Sequence, residues 1–250
     1  MTRRVVAVVQ ARMGSTRLPG KVLLDIAGRP MLARVVERAR RATRIDETVV
    51  ATSADPPDDP VAAFCASSDI ACVRGHPTDV LDRYHETARA TSADVIVRLT
   101  ADCPLLDPEV VDLTVSAFLE ARPPVDLVVN RLPWDRTFPI GLDTEVFSRE
   151  ALDRTWREAD QPSQREHVVP YMYEVPGRFR MLHVCADGDY GDRRWTVDTP
   201  EDLEFVRAVY AAFNGREDFR WREVLELLDR RPELAALNAG VAHKTHLDVG

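Results

Sequence analysis

The sequence predicts an α/β fold: a three-layer, doubly wound, mainly parallel sheet with helices on both faces. Three observations carry this. Short apolar, β-branched runs alternate with longer segments of helical period. The first run, residues 5–9, is wholly apolar, as a buried strand is. The 250 residues, 45% of them hydrophobic, are enough for one large core.

The elements follow in order. After the strand at 5–9, apolar positions 31, 32, 35, 36 and 39 give a helix over 31–41. Residues 48–51 read as a second strand. A Pro/Asp cluster at 55–60 precedes a helix to about Ser67, and 70–73 is a third, short strand. A helix is expected over 79–91 with Thr78 as its N-cap. Residues 95–99 are a strong strand signal, and Pro108 opens the helix after it. Residues 127–129 make another strand. The stretch 131–173 is less regular, with a loop between Pro133 and Pro139 and helices over 148–159 and 164–173. Strands are expected near 181–184 and 195–197, and a helix over 201–213 after Thr199-Pro200. The tail 220–237 reads as helical, and the last ten residues as frayed.

Charge narrows the function. The formal net charge is -8, so nucleic acid and anionic membrane surfaces are disfavoured partners. No run approaches the ~20 apolar residues of a membrane span, and the five apolar residues at 5–9 are too few for a secretory leader. Cys65, Cys72, Cys103 and Cys185 contain no C-x-x-C pair, which predicts reduced thiols in a cytoplasmic protein. Any anionic substrate must be met by a small, focused group of cations.

The segment from Gln10 to Lys21 supplies such a group. It leaves the first strand with Gly14 and Gly20, the hydroxyls of Ser15 and Thr16, and the cations Arg12, Arg17 and Lys21. Gly14 is expected to let backbone N–H groups turn toward an anion. The arginines offer planar forks for phosphate, and Lys21 a compact charge. Only two of the 33 basic residues are lysines, Lys21 and Lys244, so a lysine here marks a need that arginine does not meet. The bland alternative is an exposed basic turn. The loop is neither a Walker A motif nor G-x-G-x-x-G, which argues against P-loop NTPases and dinucleotide-dependent dehydrogenases.

Two aspartates could complete a phosphate site. Asp102 follows the strand at 95–99, and Asp198 follows the expected strand at 195–197. In a parallel sheet both would emerge at the carboxyl ends, where ligands bind. Magnesium takes one or two carboxylates plus phosphate and water oxygens. The competing readings are a helix cap for Asp198 and a turn residue for Asp102. Arg74, at the end of the third strand, is a candidate base reader; Asp79 and Arg83 are weaker ones. In the irregular middle, Asp143 and Glu145 are candidates for acceptor hydroxyls. Arg165 and His167 are candidates for an acceptor anion and for general-base work. Asp187-Gly188-Asp189 has the D-x-D form of a metal-using glycosyltransferase, but Tyr190-Gly191-Asp192 after it reads as a polar turn.

The stretch QARMGSTRLPGKVLLDIAGRPMLARVVER closely resembles the N-terminus of the CMP-sugar synthetases, which include the CMP-KDO and CMP-sialic acid synthetases. The resemblance is closest to their spore-coat polysaccharide (SpsF-type) relatives. RGHPTDVLDRY, RLTADCPLLDPEVVD, PIGLDTEVFSREAL, REHVVPYMYE and VDTPEDLEFV carry it to about residue 206. It implies the Rossmann-like nucleotide-diphospho-sugar transferase fold over a single domain, residues 1–250, with 131–190 as an acceptor-binding and dimerisation excursion. It implies transfer of CMP from CTP to a sugar-type acceptor, with pyrophosphate released and Mg2+ as cofactor. Asp102 and Asp198 match the family's metal-ligand motifs, Arg12 and Lys21 are the implied catalytic cations, and Gln10, Ala11 and Arg12 are expected to meet base or ribose. A homodimer is implied too. The alternative is a glycosyltransferase that consumes a nucleotide-sugar through Asp187 and Asp189.

Overall fold

The computed structural model describes residues 3–242. Its centre is a seven-stranded sheet in the order β11-β7-β10-β6-β1-β4-β5. The strands are β1 (Val5–Gln10), β4 (Glu47–Ser53), β5 (Cys72–Gly75), β6 (Val95–Thr100), β7 (Leu127–Val129), β10 (Glu145–Ser148) and β11 (Met181–His183). Two small hairpins stand outside it: β2 (Asp25–Ile26) with β3 (Arg29–Pro30), and β8 (Arg131–Leu132) with β9 (Asp135–Arg136). β1, β4, β5 and β6 are mutually parallel, and β10 alone runs against its neighbours β6 and β7.

The three layers follow from alternation along the strands. In β1, Val5, Ala7 and Val9 join the core under one helical layer, and Val6 and Val8 join the core under the other. Both faces are therefore apolar, as a covered parallel sheet requires. The first face carries α1 (Met31–Arg40), α2 (Asp59–Ser67), α4 (Pro108–Glu120), α8 (Pro200–Ala212), α9 (Trp221–Arg230) and α10 (Pro232–Ala236). The second carries α3 (Val80–Ala90), α5 (Arg149–Glu158) and α7 (Pro170–Tyr173), with α6 (Pro162–His167) contacting α3.

Several expectations need correction. Asp79, not Thr78, caps α3, because its side chain accepts from Asp82 N–H. Residues 195–197 form no strand. Trp195 and Val197 are buried, but their N–H groups donate to the carbonyls of Ile140 and Asp102, on two different loops. The apolar run therefore reflects burial, not a ladder. The helix expected over 164–173 breaks at Val168, whose φ of 73° leaves the helical region just before Pro170. The tail divides into α9 and α10 at Arg231, ahead of Pro232. Within 131–190, β10 was not anticipated: it inserts between β6 and β7. Fraying expected for the last ten residues falls mostly on 243–250, outside the described residues.

Candidate active site

β1 and β6 are adjacent and parallel, so Gln10 and Thr100 end side by side and the loops after them leave together. The loop after β1 is tied down at both ends. Met13 N–H donates to buried Asp58 Oδ1 at 2.6 Å, and Gly20 N–H donates to the Met13 carbonyl at 3.0 Å. Gly20, at φ 69°, makes the left-handed turn that starts the short 3-10 helix Lys21–Leu23. Gly14 does not adopt a positive φ, so the loop's special backbone position lies six residues later than expected. Ser15 Oγ accepts from Leu18 N–H at 3.3 Å, while Arg12 and Thr16 stay exposed.

This anchoring sends Lys21 inward. Its Nζ donates to Asp102 Oδ2, to Asp198 Oδ1 and to the Val197 carbonyl, each at 2.8 Å. Burial opposes its charge, but the two carboxylates outweigh that and hold the ammonium above its ordinary pKa. Val197 N–H donates to the Asp102 carbonyl at 2.8 Å, which locks the two aspartate loops together.

Asp198 is not the helix cap. Thr199 and Asp202 form a capping box at the start of α8, and Asp202 Oδ2 also accepts from Asp198 N–H. The Asp198 carboxylate is thereby released to face cations: Lys21, Arg194 at 2.8 Å and Arg17 at 3.1 Å. Burial works against its ionisation, but Lys21, Arg194 and Arg17 prevail and hold its pKa at about 2. Arg194 is itself fixed by a paired contact to Asp202 at 2.9 Å through Nε and Nη2. Asn238, beyond α10, donates to the Arg194 carbonyl and to Asp202 Oδ1 at 3.0 Å each. The sequence reading missed this support. T-x-x-D at Thr199–Asp202 was a legible capping signal, whereas nothing in sequence spacing pointed to Asn238. Cys103, beside Asp102, is not a thiolate. Burial first, then the charges of Asp102 and Asp143, hold its thiol well above the ordinary range.

The other candidates divide. Gln10, Ala11, Arg12, Arg83, Glu166 and His167 line a cavity of about 140 Å³. Buried Gln10 Oε1 and Arg83 Nε have no hydrogen-bond partner among the described residues. A second cavity, about 650 Å³, is lined by Arg131, Arg136, Asp143, His167 and Arg194, with Trp134 on its rim. His167 belongs to both walls. Arg74 is turned away: it donates to the carbonyls of Ser53 and Asp55 and to Asp59, securing the edge strand rather than reading a base. Glu145 is 1% exposed and pairs with Arg98 at 2.6 Å, so its carboxylate is sealed in the sheet, not offered to an acceptor. Arg165 clamps α6 to the start of α3 through Asp79 at 2.6 Å, and to the end of α5 through the carbonyls of Trp156 and Ala159. Asp187 pairs with Arg222, and Asp189 accepts from Gly191 N–H within its own turn.

The cytidylyltransferase family model matches residues 6–226. The chain belongs to the cytidylyltransferase family. It is 33% identical to the spore coat polysaccharide biosynthesis protein SpsF of Bacillus subtilis over 238 residues, covering 92% of this chain and 96% of that one. It is 32% identical to the 3-deoxy-manno-octulosonate cytidylyltransferase of Anaeromyxobacter dehalogenans over 242 residues, 84% of this chain and 99% of that one. Among solved structures, a cytidylyltransferase from Leptospira borgpetersenii superimposes with a TM-score of 0.90 at 31% identity, covering 97% of this chain and 100% of the other. The fold and the family thus agree with the resemblance carried by the sequence motifs. No helix among the described residues is long and apolar enough to cross a membrane.

Proposed function

We propose that this cytidylyltransferase transfers CMP from CTP to a sugar-type acceptor and releases pyrophosphate, with the chemistry centred on Lys21, Asp102 and Asp198. One observation carries the reading. Three charged groups separated by 81 and 177 residues meet at 2.8 Å, beside an anchored basic loop at the carboxyl ends of β1 and β6. The CTP-bound form of the reading places cytosine or ribose at Gln10, Ala11 and Arg12, where buried Gln10 Oε1 lacks a partner. The triphosphate lies along Gly14, Ser15, Thr16 and Arg17. The acceptor enters the larger cavity at Asp143, where its hydroxyls meet Arg131 and Arg136.

Asp102 and Asp198 suit a magnesium ion. They present hard oxygen donors to one point, and they already hold a cation there in the Lys21 ammonium. When bound, magnesium neutralises charge on the α-phosphate and on the leaving pyrophosphate. The chain's own part is positioning and electrostatics. An acceptor oxygen attacks the α-phosphorus as the bond to the β-phosphate's bridging oxygen breaks. Arg12, Arg17 and Lys21 stabilise the pyrophosphate that departs with that electron pair. His167, in the wall shared by both cavities, takes the acceptor's hydroxyl proton. The same reading makes the protein a cytoplasmic homodimer that associates through 131–190, where Trp134 and Leu182 are exposed.

The test is pyrophosphate release from each of four nucleoside triphosphates against a panel of sugar acids, sugar phosphates and phosphonates, with and without Mg2+. The expected result is magnesium-dependent release with CTP and one acceptor class. Release with UTP or GTP but not CTP overturns the assignment; in a parallel arm with nucleotide-sugars as donors, free nucleotide without pyrophosphate supports the glycosyltransferase instead.

A further inference from the structure

Away from the aspartate pair, three donors of a different chemistry come together. His183 ends β11, and Cys185 follows two residues later; an extended backbone puts such a pair on one face. Asp135 arrives from the β8–β9 hairpin. His183 Nδ1 lies 3.1 Å from Asp135 Oδ2 and 3.7 Å from Cys185 Sγ, and one donor atom from each residue lies within 4.8 Å of the others.

We propose that Asp135, His183 and Cys185 form a binding site for a thiophilic divalent ion of the zinc class, tying the β8–β9 hairpin to the end of β11. The geometry favours an ion over the other reading of a Cys/His/Asp group. A nucleophilic relay needs the thiol and the carboxylate on opposite ring nitrogens. Here both face Nδ1. A tetrahedral zinc with ordinary bond lengths separates its nitrogen and oxygen donors by about 3.3 Å and its nitrogen and sulfur donors by about 3.6 Å. The distances of 3.1 and 3.7 Å are close to that arrangement without rebuilding the backbone.

The protonation changes are also accessible. Binding sends the Cys185 thiol proton to solvent and leaves the ring proton on Nε2. Nε2 is buried with no partner among the described residues, so the metal-bound ring carries an N–H without an acceptor, a cost that the bonds to the ion must offset. Cys185 is the only exposed thiol of the four, and Asp135 is half exposed, so the ion has an entry path and room for water as a fourth ligand. A thiolate donor selects against magnesium and keeps this site chemically separate from Asp102 and Asp198. Asp135 also lines the large cavity, so the ion would brace one of its walls.

The test uses the full, reduced, metal-free chain titrated with Co2+ as a coloured stand-in for zinc, then with Zn2+. The expected result is a thiolate-to-cobalt charge-transfer band with tetrahedral ligand-field bands, lost on zinc addition, and a melting temperature raised by zinc. Cys185→Ser abolishes the charge-transfer band. His183→Ala weakens binding by more than the roughly 10–100-fold that loss of a supporting residue costs. Asp102→Asn leaves the band in place. Absence of the band in the wild-type chain, its survival in Cys185→Ser, or unchanged affinity in His183→Ala overturns the proposal.

Discussion

Two groups of ion pairs sit a few residues apart in this fold and are built oppositely. At Arg98 and Glu145, in β6 and β10, the side chains are 7% and 2% exposed and each carboxylate oxygen faces an arginine, Arg98 at 2.6 Å or Arg131 at 3.5 Å. At Lys21, Asp102 and Asp198 the carboxylates keep 28% and 21% of their surface. Three cations crowd one of them. The first group joins an antiparallel strand to a parallel sheet and is closed to ligands. The second lies at the strands' carboxyl ends, open to solvent, with more cations than Asp198 needs. The difference teaches that charge pairing alone does not mark a site. What sets the proposed site apart is its exposure at a sheet end and its local excess of cations.

The largest effect is expected at the closed pair. Glu145→Gln leaves Arg98 buried without its counter-charge, and we expect a loss of about 3–5 kcal/mol of stability. Urea denaturation reads this, and a change below about 1 kcal/mol would mean the pair is not sealed as described. At the open site, Lys21→Ala should lower kcat about 100-fold while weakening CTP binding far less, because its charge is needed most as pyrophosphate leaves. Steady-state rates and CTP titration separate the two, and a defect confined to binding contradicts that role. The smallest effect belongs to Asn238→Ala. It removes two hydrogen bonds that hold Arg194 and Asp202, at about 1 kcal/mol each. It should lower kcat several-fold, with Asn238→Gln recovering part of that loss; unchanged kcat alongside reduced stability would make Asn238 purely structural.

Much of this is legible in the sequence. The apolar run of β1 and the largely apolar run of β6, broken only by Arg98, put Gln10 at the end of one strand and Asp102 just past another, and the scarcity of lysine singled out Lys21; that the two strands are neighbours is seen only in the sheet. What escaped was set by long-range contact. Glu145 and Arg165 look like free charges in sequence, and only packing shows that Arg98 and Asp79 consume them. Residues 195–197 look like a strand because they are buried, yet their N–H groups bond to two separate loops. β10 is four residues long and enters antiparallel from a Pro-flanked, irregular stretch, so the β-α alternation gave no slot for it. Asn238 acts from beyond α10 on a network centred 36 and 44 residues earlier, which no local pattern encodes.

The proposed chemistry takes place where Lys21, Asp102 and Asp198 meet. The most direct test is single-turnover pyrophosphate release from CTP by Asp198→Asn, in the presence of the acceptor class that supports release by the wild-type chain, across a magnesium titration and with circular dichroism to verify the fold. We expect a folded protein whose release falls by about 1000-fold, the upper range for removing one electrostatic contact at a reacting centre. Near-normal release at limiting magnesium would contradict this expectation and remove Asp198 from the site.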